Sequence, residues 1–216
     1  IQDTIILKIF LTGISVFLLL CVSFYSSGIY PFGIKTIAWG DMKQQVVPLL
    51  MQFREILTGN QSFLFHTGTA GGSNFWGIFF FFSSSPFSFL FLLSDKINPY
   101  HLINLIVVSK LIAAGITSTI MFNKMFPDMK YIYAFILSIS YVFCGFTLMF
   151  YQNAIWLDMH YLLPLLIFGM YLLHKSGKPL LYMIILSFML IVNYYMSYMV
   201  VVFIVFFFAI FTIFDK

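Results

Sequence analysis

Runs of membrane-length apolar sequence recur along this chain, and they limit its fold more than any other feature. The twenty residues from Ile5 to Phe24 carry Lys8 as their only charge, and His101–Phe122, Tyr131–Phe150 and Tyr195–Phe214 repeat the pattern. At 1.5 Å rise per residue, about 20 apolar residues are what a hydrocarbon core of ~30 Å demands. Composition agrees: 62% of the residues are hydrophobic and 8% charged, against roughly 25% charged in a soluble domain. The expected fold class is therefore all-α, a polytopic transmembrane helix bundle. Cys21 and Cys144 fall inside apolar runs and read as small hydrophobes, not as a disulfide pair. Membrane lipid is an expected partner and nucleic acid is not.

Two further runs, Tyr161–Leu173 and Leu180–Val192, are short, and they reach membrane length only if Trp156–His160 and Asn193-Tyr194 continue their helices. Gly177 and Pro179 punctuate the turn between them as helix stop and helix start. Phe75–Leu93 is apolar enough to span, but Ser83-Ser84-Ser85-Pro86 interrupts it, which favours a broken, interfacial or re-entrant segment. Charge decides between the options. If that segment does not cross, Lys8, Lys124, Lys130, Lys175, Lys178 and Lys216 share one side, which the positive-inside rule makes cytoplasmic. The expectation is a single membrane domain over residues 1–216 with about six spans, each of about 20 residues. Its parts are a first span at 5–24, a large outer loop at 25–100 with interfacial or re-entrant helices, and a helix bundle at 101–214. Both ends of the segment are expected in the cytoplasm. The chain opens on Ile1 and closes at Lys216 directly after an apolar run, so it is expected to be the N-terminal part of a longer protein.

Asp41 is one of only seven acids in the chain and lies on the outer loop in Trp39-Gly40-Asp41-Met42-Lys43-Gln44-Gln45. A carboxylate at the mouth of an apolar bundle can take a proton from an acceptor while the bilayer supplies a lipid-carried donor. That combination points toward membrane glycosyl transfer. Asp41 with Gln44 also reads as a helix N-cap with a reciprocal glutamine, ahead of Val46, Leu49, Leu50, Phe53 and Leu57 at helical spacing. Asp158, on the same face, suits a second catalytic role, metal ligation or plain helix initiation. Lys110 sits mid-span, where an unpaired ammonium costs about 2.5 to 3.5 kcal/mol on insertion scales. Its stem can lift the charge toward a phosphate or toward Asp158. Arg54 is placed for a lipid phosphate or for ordinary headgroups. Asn193, Tyr194, Tyr195 and Tyr198 suit either sugar stacking or an aromatic belt. His66, His101, His160 and His174 show no zinc-binding spacing. No cofactor is called for, and a divalent cation is left open.

Taken in order, Tyr30-Pro31-Phe32-Gly33, Asp41-Met42 with Gln45 and Pro48, Gly71-Gly72-Ser73-Asn74, Ser85-Pro86-Phe87, Lys110, Asn153 to Asp158 and Asn193-Tyr194-Tyr195 resemble the YfhO family of bacterial membrane proteins. Val46 departs from the pattern, in which an aromatic residue commonly follows the glutamine. The family is similar in architecture to the GT-C glycosyltransferases. The resemblance implies a bacterial cell-membrane enzyme that moves a sugar, with inversion, from a polyprenyl-phosphate donor to a cell-envelope glycopolymer such as a teichoic acid. It implies Asp41 and Asp158 as the catalytic acids of the two outer loops, Arg54 and Lys110 on the donor phosphate, and Gln45, Asn153, Asn193 and Tyr194 lining the substrates. A lipid-linked-sugar translocator and a noncatalytic assembly subunit are the alternatives.

Overall fold

The computed structural model describes residues 2–65, 67, 68 and 71–214, so His66 and Lys216 lie outside the described residues. Helix α1 (Gln2–Ser27) supplies the first apolar stretch, 23 residues from Ile5. Gly28 ends it at φ +68°, a left-handed conformation that suits glycine at a helix stop. After a loop, a π turn over Met42–Val46 leads into α2 (Val47–Leu57), with Pro48 at the join. Proline has no N–H to give the carbonyl four residues back, which is why the regular ladder begins only there. The helix expected after Asp41 is present, with Val46, Leu50 and Phe53 buried and Gln45 exposed.

The serine-proline interruption breaks the next apolar run as its chemistry requires. A single turn, α3 (Trp76–Ile78), widens into a π turn over Phe79–Ser83, and a 3-10 helix over Pro86–Leu93 leaves it at 96°. Both ends of this bent segment come back to α2, where Phe75 lies parallel to Phe53 and Asp95 pairs with Arg54. It therefore returns to the side it left.

The rest of the chain is the bundle. Helix α4 (Pro99–Met125), capped by Asn98 through the Tyr100 N–H at 2.9 Å, is buried along most of its length and forms the axis. Past the basic turn, α5 (Tyr131–Val142) and α6 (Gly145–Phe150) climb as one broken span, and α7 (Leu157–Ser176) descends beside α4. Helix α8 (Leu180–Val192) climbs and α9 (Tyr194–Phe214) descends, with Ser197 beside Met159 and Phe208 beside His174. Lysines gather at one end: Lys8 Nζ donates to Asn123 Oδ1 at 2.9 Å, beside the turn holding Lys124 and Lys130. Lys175 and Lys178 follow the descending α7. The opposite end carries the large loop.

Among the described residues five helices are long and apolar enough to cross a membrane, and α8 is a shorter apolar helix. With 13 residues it covers about 20 Å of a ~30 Å core. The expected continuation through Asn193-Tyr194 does not occur. Asn193 is extended, at φ −158°, and its side-chain oxygen accepts the Met196 N–H at 3.0 Å, so it caps α9 instead. The bent segment covers the missing length. Ser84 Oγ lies 2.8 Å from the Val192 carbonyl oxygen and 3.0 Å from that of Ile191, and Asn193 Nδ2 donates to Phe81 O at 3.3 Å. Irregular backbone at membrane depth persists where protein satisfies it in this way.

Helix α7 begins where expected, with Leu157–His160 helical, and carries Pro164 in its interior. That proline leaves the His160 carbonyl without its usual donor. Tyr141 Oη supplies one at 2.6 Å, and its ring stacks on the His160 ring at 4.4 Å. Tyr141→Phe should therefore cost about 1 to 3 kcal/mol through one buried orphan carbonyl. Thermal unfolding in detergent checks it, and adding Pro164→Ala, which restores a helical donor, should recover most of the loss.

Candidate functional site

The loop end is assembled on the first turns of α4. Asn104 interrupts an apolar run and is 2% exposed, so its amide must find partners. It accepts the Ile37 N–H at 3.1 Å and donates to Tyr30 O at 3.4 Å, while Tyr30 stacks on His101 at 4.3 Å. The loop following α1 is thereby fixed to α4. Two residues further on, Trp39 Nε1 donates to Tyr151 Oη at 3.2 Å, which joins this loop to the turn between α6 and α7. The two loops that carry Asp41 and Asp158 thus meet at one end of the bundle.

Asp41 does not cap α2. Directly after Gly40, at φ +52°, Asp41 holds the N-cap position of the π turn but in αR conformation (φ −61°, ψ −31°), and its side chain makes no cap bond. Its carboxylate is exposed and makes no hydrogen bond or ion pair among the described residues. Gln44, the expected reciprocal partner, is exposed as well. The neighbouring Met42 is fully buried in the main core, which holds the backbone of this turn in place. The result is a free carboxylate on a fixed support, the arrangement a general base needs.

Lys110 and Asp158 are brought together with each other. Lys110 is 3% exposed and Asp158 1%, and Lys110 Nζ lies 2.6 Å from Asp158 Oδ2 and 2.9 Å from the Ala154 carbonyl oxygen. Ser85 Oγ donates to Asp158 Oδ1 at 2.7 Å. Asp158 thus ties α4, the first turn of α7 and the bend of the re-entrant segment into one buried polar knot. Its position in the first turn of α7 also suits a negative charge at a helix N-terminus.

Arg54 is held by two acids, Glu55 through Nη1 and Asp95 through Nη2. The hydrogen bonds to Glu55 and then Asp95 raise the guanidinium pKa above its ordinary value. The Glu55 carboxyl is lowered, first by the Asn60 amide and then by Arg54. Three cations of the same loop are exposed and form no ion pair among the described residues: Lys96 lies at its far end, while Lys35 and Lys43 flank Asp41 in sequence. Their signal in the sequence was position: all three lie on the loop side, away from the end where the other lysines gather. Ser85 and Asn104 left only a weak signal, a polar side chain within an apolar setting.

Of the residues expected to line substrates, Gln45 and Tyr194 are exposed and Asn153 is half-buried. Asn193 is wholly buried and engaged as a cap. Cys21 and Cys144 are free thiols, and among the described residues no three His, Cys, Asp or Glu side chains converge on a metal site. An apolar cavity of about 460 Å³ opens beside these elements, with Ile37 and Tyr151 at its loop-end rim. No curated protein and no solved structure matches the chain. The family described as bacterial membrane protein YfhO matches over residues 13–216. With nearly its whole length matched and an all-helical multipass bundle behind the match, this chain belongs to the YfhO family of bacterial membrane proteins.

Proposed function

We propose that the protein is a membrane glycosyltransferase that uses a polyprenyl-phosphate sugar as donor and a cell-envelope glycopolymer of the teichoic-acid kind as acceptor. The observation that carries this reading is the free, exposed carboxylate of Asp41 on a fixed turn, beside a bundle whose surroundings are lipid. An acceptor hydroxyl gives its proton to Asp41 as its oxygen bonds to the anomeric carbon. The bond from that carbon to the donor phosphate breaks, its electron pair leaves with the polyprenyl phosphate, and attack from the opposite face inverts the centre. Positive charge near the leaving phosphate lowers the barrier electrostatically.

Lys110 is already neutralised by Asp158, and Arg54 by Glu55 and Asp95. Of the exposed loop cations we assign the phosphate to Lys35 and Lys43, the two nearest Asp41 in sequence, and give Asp158 the part of holding the re-entrant segment through Ser85. The loop end faces outward in this reading, because the clustered lysines at the other end favour the cytoplasm. Transfer is favoured over translocation because Lys110 is closed off in an ion pair and the segment around Pro86 turns back beside α2. Mass spectrometry of envelope polymers from cells with and without the full-length protein tests the proposal. A hexose or hexosamine should be missing without it, and identical polymers would contradict it.

A further inference from the structure

The two halves of α1 meet α4 differently. In the half near the lysine cluster the helices touch closely, and a Cβ added at Gly115 would stand 3.0 Å from a Val16 methyl. In the other half, cavities of about 200 and 460 Å³ flank α1 on its two sides, and Leu20 and Phe24 line both. The larger lies between α1, α4 and α6. Leu19 and Leu148 in its wall are 49% and 63% exposed, so it opens sideways through the surface that the bilayer covers. Its wall is mostly apolar, with Ser23, Thr147 and Tyr151 as its polar members, and a groove of this kind that opens sideways suits a hydrocarbon chain.

The rim says which amphiphile owns that chain. Ile29 and Ile37 line the cavity where the loop crosses it, and Lys35, exposed and without an ion pair among the described residues, stands on the loop between them. Tyr151, also in the wall, holds Trp39 two residues before Asp41. A chain lying in the groove would bring its head group to a cation and then to the free carboxylate. We infer that the groove between α1, α4 and α6 seats the prenyl tail of the lipid-phosphate donor, with its phosphate on Lys35. The inference rests on the transferase reading and adds where its donor enters: laterally, between α1 and α6.

The test uses a polyprenyl phosphate carrying a diazirine on its chain, irradiated with the full-length protein in phosphatidylcholine nanodiscs, with labelled peptides mapped by mass spectrometry. Label should fall on the groove walls of α1, α4 and α6 and be competed by unlabelled polyprenyl phosphate. Ser23→Trp, which fills the groove from an exposed wall position, should displace about two chain methylenes and lower labelling about tenfold. Leu148→Trp does the same from the opposite wall and guards against a folding defect in the first variant. Lys35→Gln should weaken labelling by the phosphate probe and leave a polyprenyl alcohol probe unaffected. Label outside the groove walls on α1, α4, α6 and the loop residues between them, label undiminished in both Trp variants, or equal competition by phosphatidylglycerol would overturn the inference. Asp41→Asn protein should be labelled like the wild type. A labelled groove in a wild-type protein that transfers no sugar would sink the transferase reading alone, and transfer without groove labelling would sink this inference alone.

Discussion

Lys110→Met, made alone, should destabilise the protein by about 3 to 5 kcal/mol, the usual cost of stripping one partner from a buried ion pair. The substitution leaves Asp158, 1% exposed, with a desolvated oxygen, and leaves the Ala154 carbonyl without its donor. Set against a total stability of about 5 to 15 kcal/mol for a typical domain, that loss is large. Replacing both partners, as Lys110→Met with Asp158→Leu, should recover much of it, because an apolar pair of similar volume removes both charges together. Recovery will be incomplete, since Ser85 loses its acceptor and the re-entrant segment loses one attachment. Thermal unfolding of the two single variants and the double variant in detergent gives the coupling. If Lys110 served only a donor phosphate, Lys110→Met would instead lower activity at unchanged stability.

Much of the fold was legible because a bilayer demands simple things of a sequence. The long runs became α1, α4, the α5–α6 pair and α9 because nothing shorter or more polar spans hydrocarbon, and the short run Tyr161–Leu173 reached membrane length as α7 by starting at Leu157. Ser83-Ser84-Ser85-Pro86 marked the bend because a cluster of hydroxyls and a missing N–H is unfavourable in the middle of a lipid-facing helix, and at the bend Ser84 and Ser85 do find partners. Lys110 was legible as a residue that needed a partner, with Asp158 named among the candidates, because the cost of a lone ammonium is a local fact.

What stayed hidden depends on neighbours distant in sequence. Asn193 looked like a continuation of α8, yet its amide finds Met196 and Phe81, and Ser84 finishes α8 across more than a hundred residues of sequence. Asp41 with Gln44 had the spacing of a cap, and Asp41 does stand at the N-cap position, but its αR backbone leaves the side chain without a cap bond. Asn104 read as one polar residue in an apolar run until the loop after α1 folded onto it. At the site, the sequence picked out Asp41, Asp158, Lys110 and Arg54 but neither Lys35 nor Lys43, and partners sort them: Lys110, Arg54 and Asp158 are engaged, whereas Asp41, Lys35, Lys43 and Lys96 are free among the described residues.

Asp41→Asn is expected to abolish sugar transfer while leaving the protein folded and inserted. Asparagine is isosteric with aspartate, and the Asp41 side chain makes no contact that the change would break among the described residues. The position is exposed and already helical, where Asp and Asn differ little in propensity. What the substitution removes is the ability to take up a proton, and loss of a general base costs about 10² to 10⁴ in rate. Stability and chemistry are therefore separated by one oxygen-to-nitrogen change. The direct measurement is the rate at which the full-length protein, wild type and Asp41→Asn at matched abundance in proteoliposomes, moves sugar from a polyprenyl-phosphate donor to the envelope polymer. The account predicts turnover by the wild type and a loss of at least about a hundredfold in the variant. Near-normal transfer by Asp41→Asn would contradict it.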